Sequence, residues 1–455
     1  MQQENKMGVM PVNKLLISMS LPIMISMLVQ ALYNIVDSIF VSMISENALS
    51  AVSLAFPIQI LLIAVATGTG VGVNAVLSRA LGEKNYERVN SAAMHGILLL
   101  MFSYLIFLLI GIFGVKPFFF SQTSGTDNEI YSYGVQYTSI ICIMSFGVYT
   151  QVIFERLLQS TGKTLYSMYI QATGAIINII LDPILIFGLC GFPKMGVAGA
   201  AVATVTGQII AGVLAIFFNF KVNKEIKLSL KNFKFDKKMV GVIYKVGAPS
   251  IIMQAIGSVM NYGMNLILIG FTSTATAVFG IYYKIQSMFF MPVFGLNNGM
   301  VPIIAYNYGA GNRKRLVKTI KLSILYAVIL TFVGFLVFQI VPHKLLGLFE
   351  ASDAMLQIGV RALRIISISY LAAGFCIVAG SVFQALGNGM YSLIVSIARQ
   401  LVILLPVAFI LSKISGLDAV WWSFPIAEIM SLAVSALYMW KIYNNIIRHI
   451  PSGTK

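Results

Sequence analysis

Two carboxylates stand where a chain of this character has least room for them: Asp37 in LVQALYNIVDSIF and Asp182 in INIILDP, both inside long apolar runs. An acid deep in lipid costs at least ~2.5 kcal/mol on insertion scales, so each needs a compensating role. Tyr33 and Asn34 precede Asp37 by four and three residues, which puts all three on one helical face, and Gln30 extends that face by another turn. Asn178 precedes Asp182 by four residues in the same way, and Pro183 follows at once, freeing a backbone carbonyl near the acid. In GVAGAAVATVTGQ, small residues allow close helix approach, and Thr204 is the hydroxyl best placed to reach a neighbouring aspartate. In low dielectric a carboxylate either takes up a proton or is held by an adjacent cation. Acids with amide and hydroxyl neighbours are therefore suited to exchanging a proton, a sodium ion and a cationic solute. A polar cluster that merely glues helices together is the plainer alternative.

The elements that position these groups must cross a bilayer. Of 455 residues, 58% are hydrophobic and 10% charged, and the mean hydropathy of +0.88 leaves too few polar groups to cover a soluble globule. A span needs roughly 20 apolar residues. Such segments follow one another near 14–43, 49–78, 92–118, 131–158, 164–189, 195–220, 239–270, 275–306, 317–342, 355–386, 390–412 and 417–443. The fold class predicted is an all-α membrane protein with twelve transmembrane helices, rather than a β-barrel of alternating strands or a soluble solenoid with polar outer faces.

Lysine and arginine crowd the even-numbered connections: Arg79, Lys84 and Arg88; Arg156 and Lys163; the 221–238 run; and Arg313, Lys314, Arg315, Lys318 and Lys321. The odd connections hold Lys116, Lys194, Lys344 and Lys413. This asymmetry predicts a multi-pass protein of the inner (plasma) membrane with N- and C-termini cytoplasmic. It also accounts for most of the net charge of +16 and argues against nucleic acid as a partner. The first apolar stretch, from about Leu15, is too long for a signal-peptide core and is expected to be the first span.

The sequence is written twice. At a shift of 227 residues Pro22 meets Pro249, Asn34 meets Asn261, Gly68 meets Gly295, Gly82 meets Gly309, Asn85 meets Asn312 and Arg88 meets Arg315. Further along, the register drifts to 225 (Gln159 and Gly162 with Gln384 and Gly387) and then to about 220 (Gly196 and Lys221 with Gly416 and Lys441). Six helices per half is an even number, so the expected arrangement is two six-helix bundles, 1–221 and 239–455, joined by a cytoplasmic linker 222–238 and related by a pseudo-two-fold axis along the membrane normal. The acids are not repeated: Asp37 faces Met264 and Asp182 faces Leu405.

Other polar residues have plainer readings. Cys142, Cys190 and Cys376 are isolated in apolar surroundings and expected to pack. His95, His343 and His449 are scattered, and no HExxH, GxSxG or GxxxxGK[ST] occurs, so an enzyme, a cofactor and a resident metal centre are not expected. The linker carries six lysines that could lie on anionic lipid, with a solvated linker as the simpler reading. Glu155 either pairs with Arg156 or attracts cations at the inner mouth. Glu428, at the place of Gln208, is the deep acid of the second half, with Lys284 and Arg399 expected as structural partners, while Arg361 and Arg364 are expected to snorkel. Met288 and Met291 head an aromatic-rich cluster, MFFMPVF, of the kind that repacks around differently shaped ligands or simply packs.

These residues together resemble the multidrug and toxic compound extrusion (MATE) family of secondary transporters. The likeness rests on LP…Q..YN..D in the first helix, LG.KN after the second, ER.LQSTG.T from Glu155 to Thr164, INIILDP, and GVAGAA.AT from Gly196 to Thr204, and within the family it looks most like the MepA-type branch, close to DinF-like proteins. The resemblance implies efflux of small organic cations by antiport with H+ or Na+, through two bundles that alternate between inward-open and outward-open forms. By position it implies a cation-coupling site of Asp37, Asn178, Asp182 and Thr204, and a neighbouring pocket lined by Gln30, Asn34 and Tyr137, of which Tyr137 rests on its place in the fourth helix; Tyr33, on the face of Asp37, and Glu155 are the further candidates for substrate contact. Pro22, fifteen residues or about four turns before Asp37, is the expected hinge. The chain is expected to act as a monomer in the lipid bilayer. The rivals are a flippase for lipid-linked precursors, which would want a cationic cavity, and a channel or receptor on the same scaffold.

Overall fold

The computed structural model describes residues 4–123, 128–229, 233–349 and 352–451, and among these every regular element is helical. In lipid each backbone N–H and C=O must be satisfied within its own segment, which long apolar helices achieve. Ten helices are long and apolar enough to span, and there are twelve spans if each of two bent pairs counts as one. In chain order they are α1 (Val12–Ser42), α2 (Glu46–Gly82), α3 (Tyr86–Thr123), α4 (Glu129–Ile143 and Phe146–Ser160, bent by 43°), α5 (Thr164–Phe187), α6 (Val197–Val222), α7 (Lys237–Ile269), α8 (Ser273–Gly309), α9 (Arg313–Ile340), α10 (Asp353–Ser367 and Tyr370–Ala385, bent by 51°), α11 (Gly389–Ile414) and α12 (Leu417–His449).

The repeat is carried down to single hydrogen bonds. α2 and α8 both run for 37 residues and are capped alike: the Ala48 N–H donates to Ser45 Oγ at 3.0 Å and the Ala275 N–H to Thr272 Oγ1 at 3.2 Å. α3 and α9 open with Asn85 and Asn312, whose side chains accept the Arg88 and Arg315 N–H groups at 3.0 and 3.1 Å. The residue just before each cap takes a left-handed backbone, Lys84 at φ 56° and Gly311 at φ 66°. The second half uses the residue that adopts this conformation freely, and the first tolerates a strained lysine.

By contact the chain forms two units, residues 25–251 and residues 1–24 with 252–455. The division is not at the 222–238 linker. It falls inside α1 between Met24 and Ile25 and inside α7 between Ile251 and Ile252, two residues after Pro22 and Pro249 in each case. Both prolines lie within continuous helices, where a missing N–H and a crowded carbonyl weaken the ladder.

Within the 25–251 unit, α5 and α6 approach until backbones touch. A Cβ on Gly207 would lie 2.6 Å from the Gly174 carbonyl oxygen, and one on Gly199 would lie 2.6 Å from that of Leu185. The linker joins this unit rather than floating free. The Asp236 N–H donates to His95 Nε2 at 2.8 Å, the Lys227 N–H to Asn90 Oδ1 at 2.7 Å, and the rings of Phe233 and Phe235 lie 4.9 and 5.5 Å from the imidazole. The other unit has an aromatic-rich core, in which Tyr282, Phe290, Phe338, Tyr370 and Trp421 are buried.

Candidate functional site

The close approach of α5 and α6 brings Thr204 beside Asn178. The Asn178 amide donates from Nδ2 to Thr204 Oγ1 at 3.3 Å and, one turn along its own helix, to Asp182 Oδ1 at 3.4 Å. Asp182 and Asn178 are buried, Thr204 half so. α1 packs on α5 through Phe40 and Phe187, ring centroids 6.3 Å apart, and this contact sets Asp37 within hydrogen-bonding reach of Asp182. The four residues expected to form a cation site are thus gathered by three helices.

Their oxygens are under-supplied with donors. Asp37 Oδ1, Asp182 Oδ2 and Asn178 Oδ1 are buried without a hydrogen-bond partner, and the Asn178 amide hydrogens are spent on Thr204 and the other Asp182 oxygen. Two carboxyls in contact repel unless a proton or a cation lies between them. Three unpartnered acceptors around that contact form an oxygen-rich nest of the kind that a proton or a hard cation completes. No group of three or more His, Cys, Asp and Glu side chains that could hold a metal occurs among the described residues, so the donors here are carboxyl, amide and hydroxyl oxygens.

The surrounding wall is aromatic and amide. Tyr33 and Tyr137 lie within electrostatic range of both aspartates, Tyr33 in hydrogen-bonding contact with Gln30 and Tyr137 with Gln59 of α2. Gln59 was not singled out by sequence. It stands in an apolar helix without a neighbouring acid, and its only signal is that an amide there needs a partner. Asn34 shares the helix with Asp37 but is exposed, its carbonyl accepting from Ser38 Oγ at 2.8 Å.

Glu155 lies apart, within electrostatic range of Arg156 and hydrogen-bonded by two amides. Gln151 Nε2 donates to its Oε1 at 2.8 Å and Gln171 Nε2 to its Oε2 at 2.9 Å, while Arg156 Nη1 donates to Gln159 Oε1 at 2.9 Å. No hydrogen bond joins Glu155 to Asp37 or Asp182 among the described residues. Residues three or four apart on a helix share a face, which lets Gln151 reach Glu155 and Arg156 reach Gln159.

In the other unit Glu428 is buried and accepts from Arg399 Nη1 at 3.2 Å through Oε2. Lys284, expected to share this acid, is instead exposed and makes no ion pair among the described residues. The expected pairing with Glu428 therefore holds for Arg399 and not for Lys284. Cys376 and Ser431 stand beside Glu428, and Cys142 is buried, whereas Cys190 is exposed in the turn after α5, contrary to a packing role. Arg361 pairs with Asp418 at 2.8 Å on the surface rather than snorkelling alone.

Comparison with known proteins covers most of the chain. The sequence model of the MatE family matches residues 22–184 and 249–410, one block in each half of the repeat. The multidrug export protein MepA of Staphylococcus haemolyticus is 30% identical over 436 residues, covering 95% of this chain and 94% of its own. MepA of Staphylococcus aureus is 28% identical over 436 residues, covering 94% of each. A crystal structure of a MATE protein in complex with MaL6 superposes with a TM-score of 0.91 at 25% identity, covering 97% of this chain and 99% of that one.

Proposed function

Because the chain belongs to the MatE family, the multidrug and toxic compound extrusion transporters, on their MepA-type branch, we propose that it exports small organic cations by antiport with H+ or Na+. It is a transporter and not an enzyme. The observation that carries the proposal is the contact of Asp37 with Asp182 beside three buried acceptor oxygens that lack donors. A site of this composition is stable only when loaded, with a proton shared by the carboxyls or a sodium ion bridging them. An arriving organic cation offers the same charge, so it and the coupling ion compete for one pair of acids. Such competition is what antiport requires.

Gln30, Tyr33, Asn34 and Tyr137, with Gln59 added, are proposed to line the approach, and Glu155 to draw cations toward it. Loading changes what Asp37 can hydrogen-bond, and α1, weakened at Pro22, is the element proposed to shift against α5 in response. The protein is proposed to work as a monomer in the inner membrane with both termini cytoplasmic. A flippase for lipid-linked precursors would need cations around its substrate's pyrophosphate, and the acids of this site favour the opposite charge. The test is transport in sealed vesicles with pH and sodium gradients imposed separately. One gradient should drive uptake of a fluorescent cation, and unlabelled cation on the far side should accelerate exchange. Uptake that ignores both gradients and shows no counterflow would point to a channel.

A further inference from the structure

At the polar end of the 252–455 unit, an open cleft of about 670 Å³ lies between the start of α9 and the end of α12, lined by Arg313, Lys314, Lys318, Lys321, Leu322 and Tyr443. One wall is fixed. Arg313 Nη2 donates to the Tyr443 hydroxyl at 3.0 Å, its Nη1 donates to the Arg448 carbonyl at 3.3 Å, its N–H donates to the Pro451 carbonyl at 3.3 Å, and its guanidinium sits 5.7 Å from the Tyr443 ring centre. The opposite wall is three exposed lysines, and none of them has an acidic partner among the described residues. Some other cations of this chain do find acids: Arg79 and Arg88 share Glu83, Lys163 holds Glu225, and Arg361 holds Asp418.

We infer that this cleft binds an anionic phospholipid, with the phosphate held by Lys314, Lys318 and Lys321 and the acyl chains laid along α9. Three observations lead there. The lysines are not inherited from the repeat: at the 227-residue shift their counterparts are Glu87, Ser91 and Met94, and the matching cleft of the first half is lined by both signs, Glu87 and Asp236 with Arg88 and Lys238. The topological bias toward positive loops sets a charge count and does not require alignment on one face. Yet Lys314, Lys318 and Lys321 follow at helical spacing and continue without a break into Leu325, Ile329, Phe332 and Leu336, which are 52%, 50%, 44% and 38% exposed. A basic head site running straight into an exposed apolar stripe fits one amphipathic molecule. A free phosphate would have no use for the stripe, and a zwitterionic headgroup would bring its own cation to the lysines.

The experiment is native mass spectrometry of the purified full chain in neutral detergent, titrated with phosphatidylglycerol, with phosphatidylcholine and with inorganic phosphate in separate arms. Phosphatidylglycerol should bind at least about tenfold more tightly than phosphatidylcholine, and millimolar phosphate should not displace it. Changing Lys314, Lys318 and Lys321 together to Gln should weaken phosphatidylglycerol binding about tenfold. The same charge removed from the linker, as Lys224→Gln, Lys227→Gln and Lys234→Gln, should leave binding unchanged, with equal melting temperatures for both variants. The inference is overturned by wild-type binding in the α9 variant, by equal weakening in the linker variant, or by displacement of lipid with inorganic phosphate.

Discussion

In the 25–251 unit Asp37 and Asp182 touch one another with amide and hydroxyl groups nearby. In the 252–455 unit the buried acid, Glu428, is held by Arg399 at 3.2 Å. Both places solve the same physical problem, a carboxylate in surroundings too apolar to hold it alone. The second solves it with a tethered guanidinium, so its counter-charge is always present. The first leaves three acceptor oxygens without donors, against Oε1 alone on Glu428, and is proposed to take its counter-charge from outside. A closed ion pair stabilises a fold and is hard to displace, whereas an open pair of acids exchanges whatever positive charge the surroundings offer. On the proposed reading, exchange belongs to one unit and support to the other, on a scaffold whose caps and helix lengths are otherwise repeated.

The contrast breaks first at the aspartates. Asp37→Asn or Asp182→Asn should lower gradient-driven efflux by roughly 100-fold, the upper range of coupling between two ligands, while the protein still inserts and purifies folded. Near wild-type efflux in both would remove the site from the account. Asn178→Ala takes away the donor shared by Thr204 and Asp182, and efflux should fall about tenfold, in keeping with a hydrogen bond to a charged group. An isosteric Asn178→Asp change should not rescue it, since it adds a third acid and no donor.

A smaller effect is expected from Pro22→Ala, which restores an N–H to α1 and touches no residue of the site. Efflux should slow by about threefold while equilibrium binding of a fluorescent cation in detergent stays within about twofold, because the change stiffens a helix and not a pocket. Unchanged efflux would mean that α1 does not bend there. Least affected should be coupling in Glu428→Gln. Its ion-to-drug dependence should match the wild type within about twofold, and its loss should show as a lower melting temperature, because Arg399 then keeps a charge without its partner. Loss of coupling with unchanged stability would move the exchange site to the second unit.

Much of this was legible in the sequence, for reasons particular residues make clear. Asp37 and Asp182 were visible because an acid in an apolar helix has few roles open to it, and Tyr33 and Asn178 because spacing along one helix fixes a shared face. The repeat was visible because Pro22, Gly82 and Asn85 recur in register with Pro249, Gly309 and Asn312. What failed depends on rotation about a helix or on contacts between distant segments. Lys284 and Arg399 both looked able to pair with Glu428, and only the fold shows that Arg399 reaches it while Lys284 is exposed. Gln59 meets Tyr137 across two helices, and His95 accepts a linker amide 141 positions away, neither of which spacing along the chain encodes. The passage of α1 and α7 from one unit to the other, two residues beyond a proline, was likewise hidden, because the linker composition marked a more obvious boundary.

The central claim is that the acid pair binds the coupling ion and that the organic cation displaces it. The most direct measurement counts the ion released when a tight-binding fluorescent cation is added to the purified protein, as protons in weakly buffered, sodium-free solution and as labelled sodium in a parallel sample. The account predicts that the wild type releases one of the two ions in proportion to the cation bound, and that the variant carrying both Asp37→Asn and Asp182→Asn releases neither. Release of the same ion at the same ratio from that double variant would contradict it.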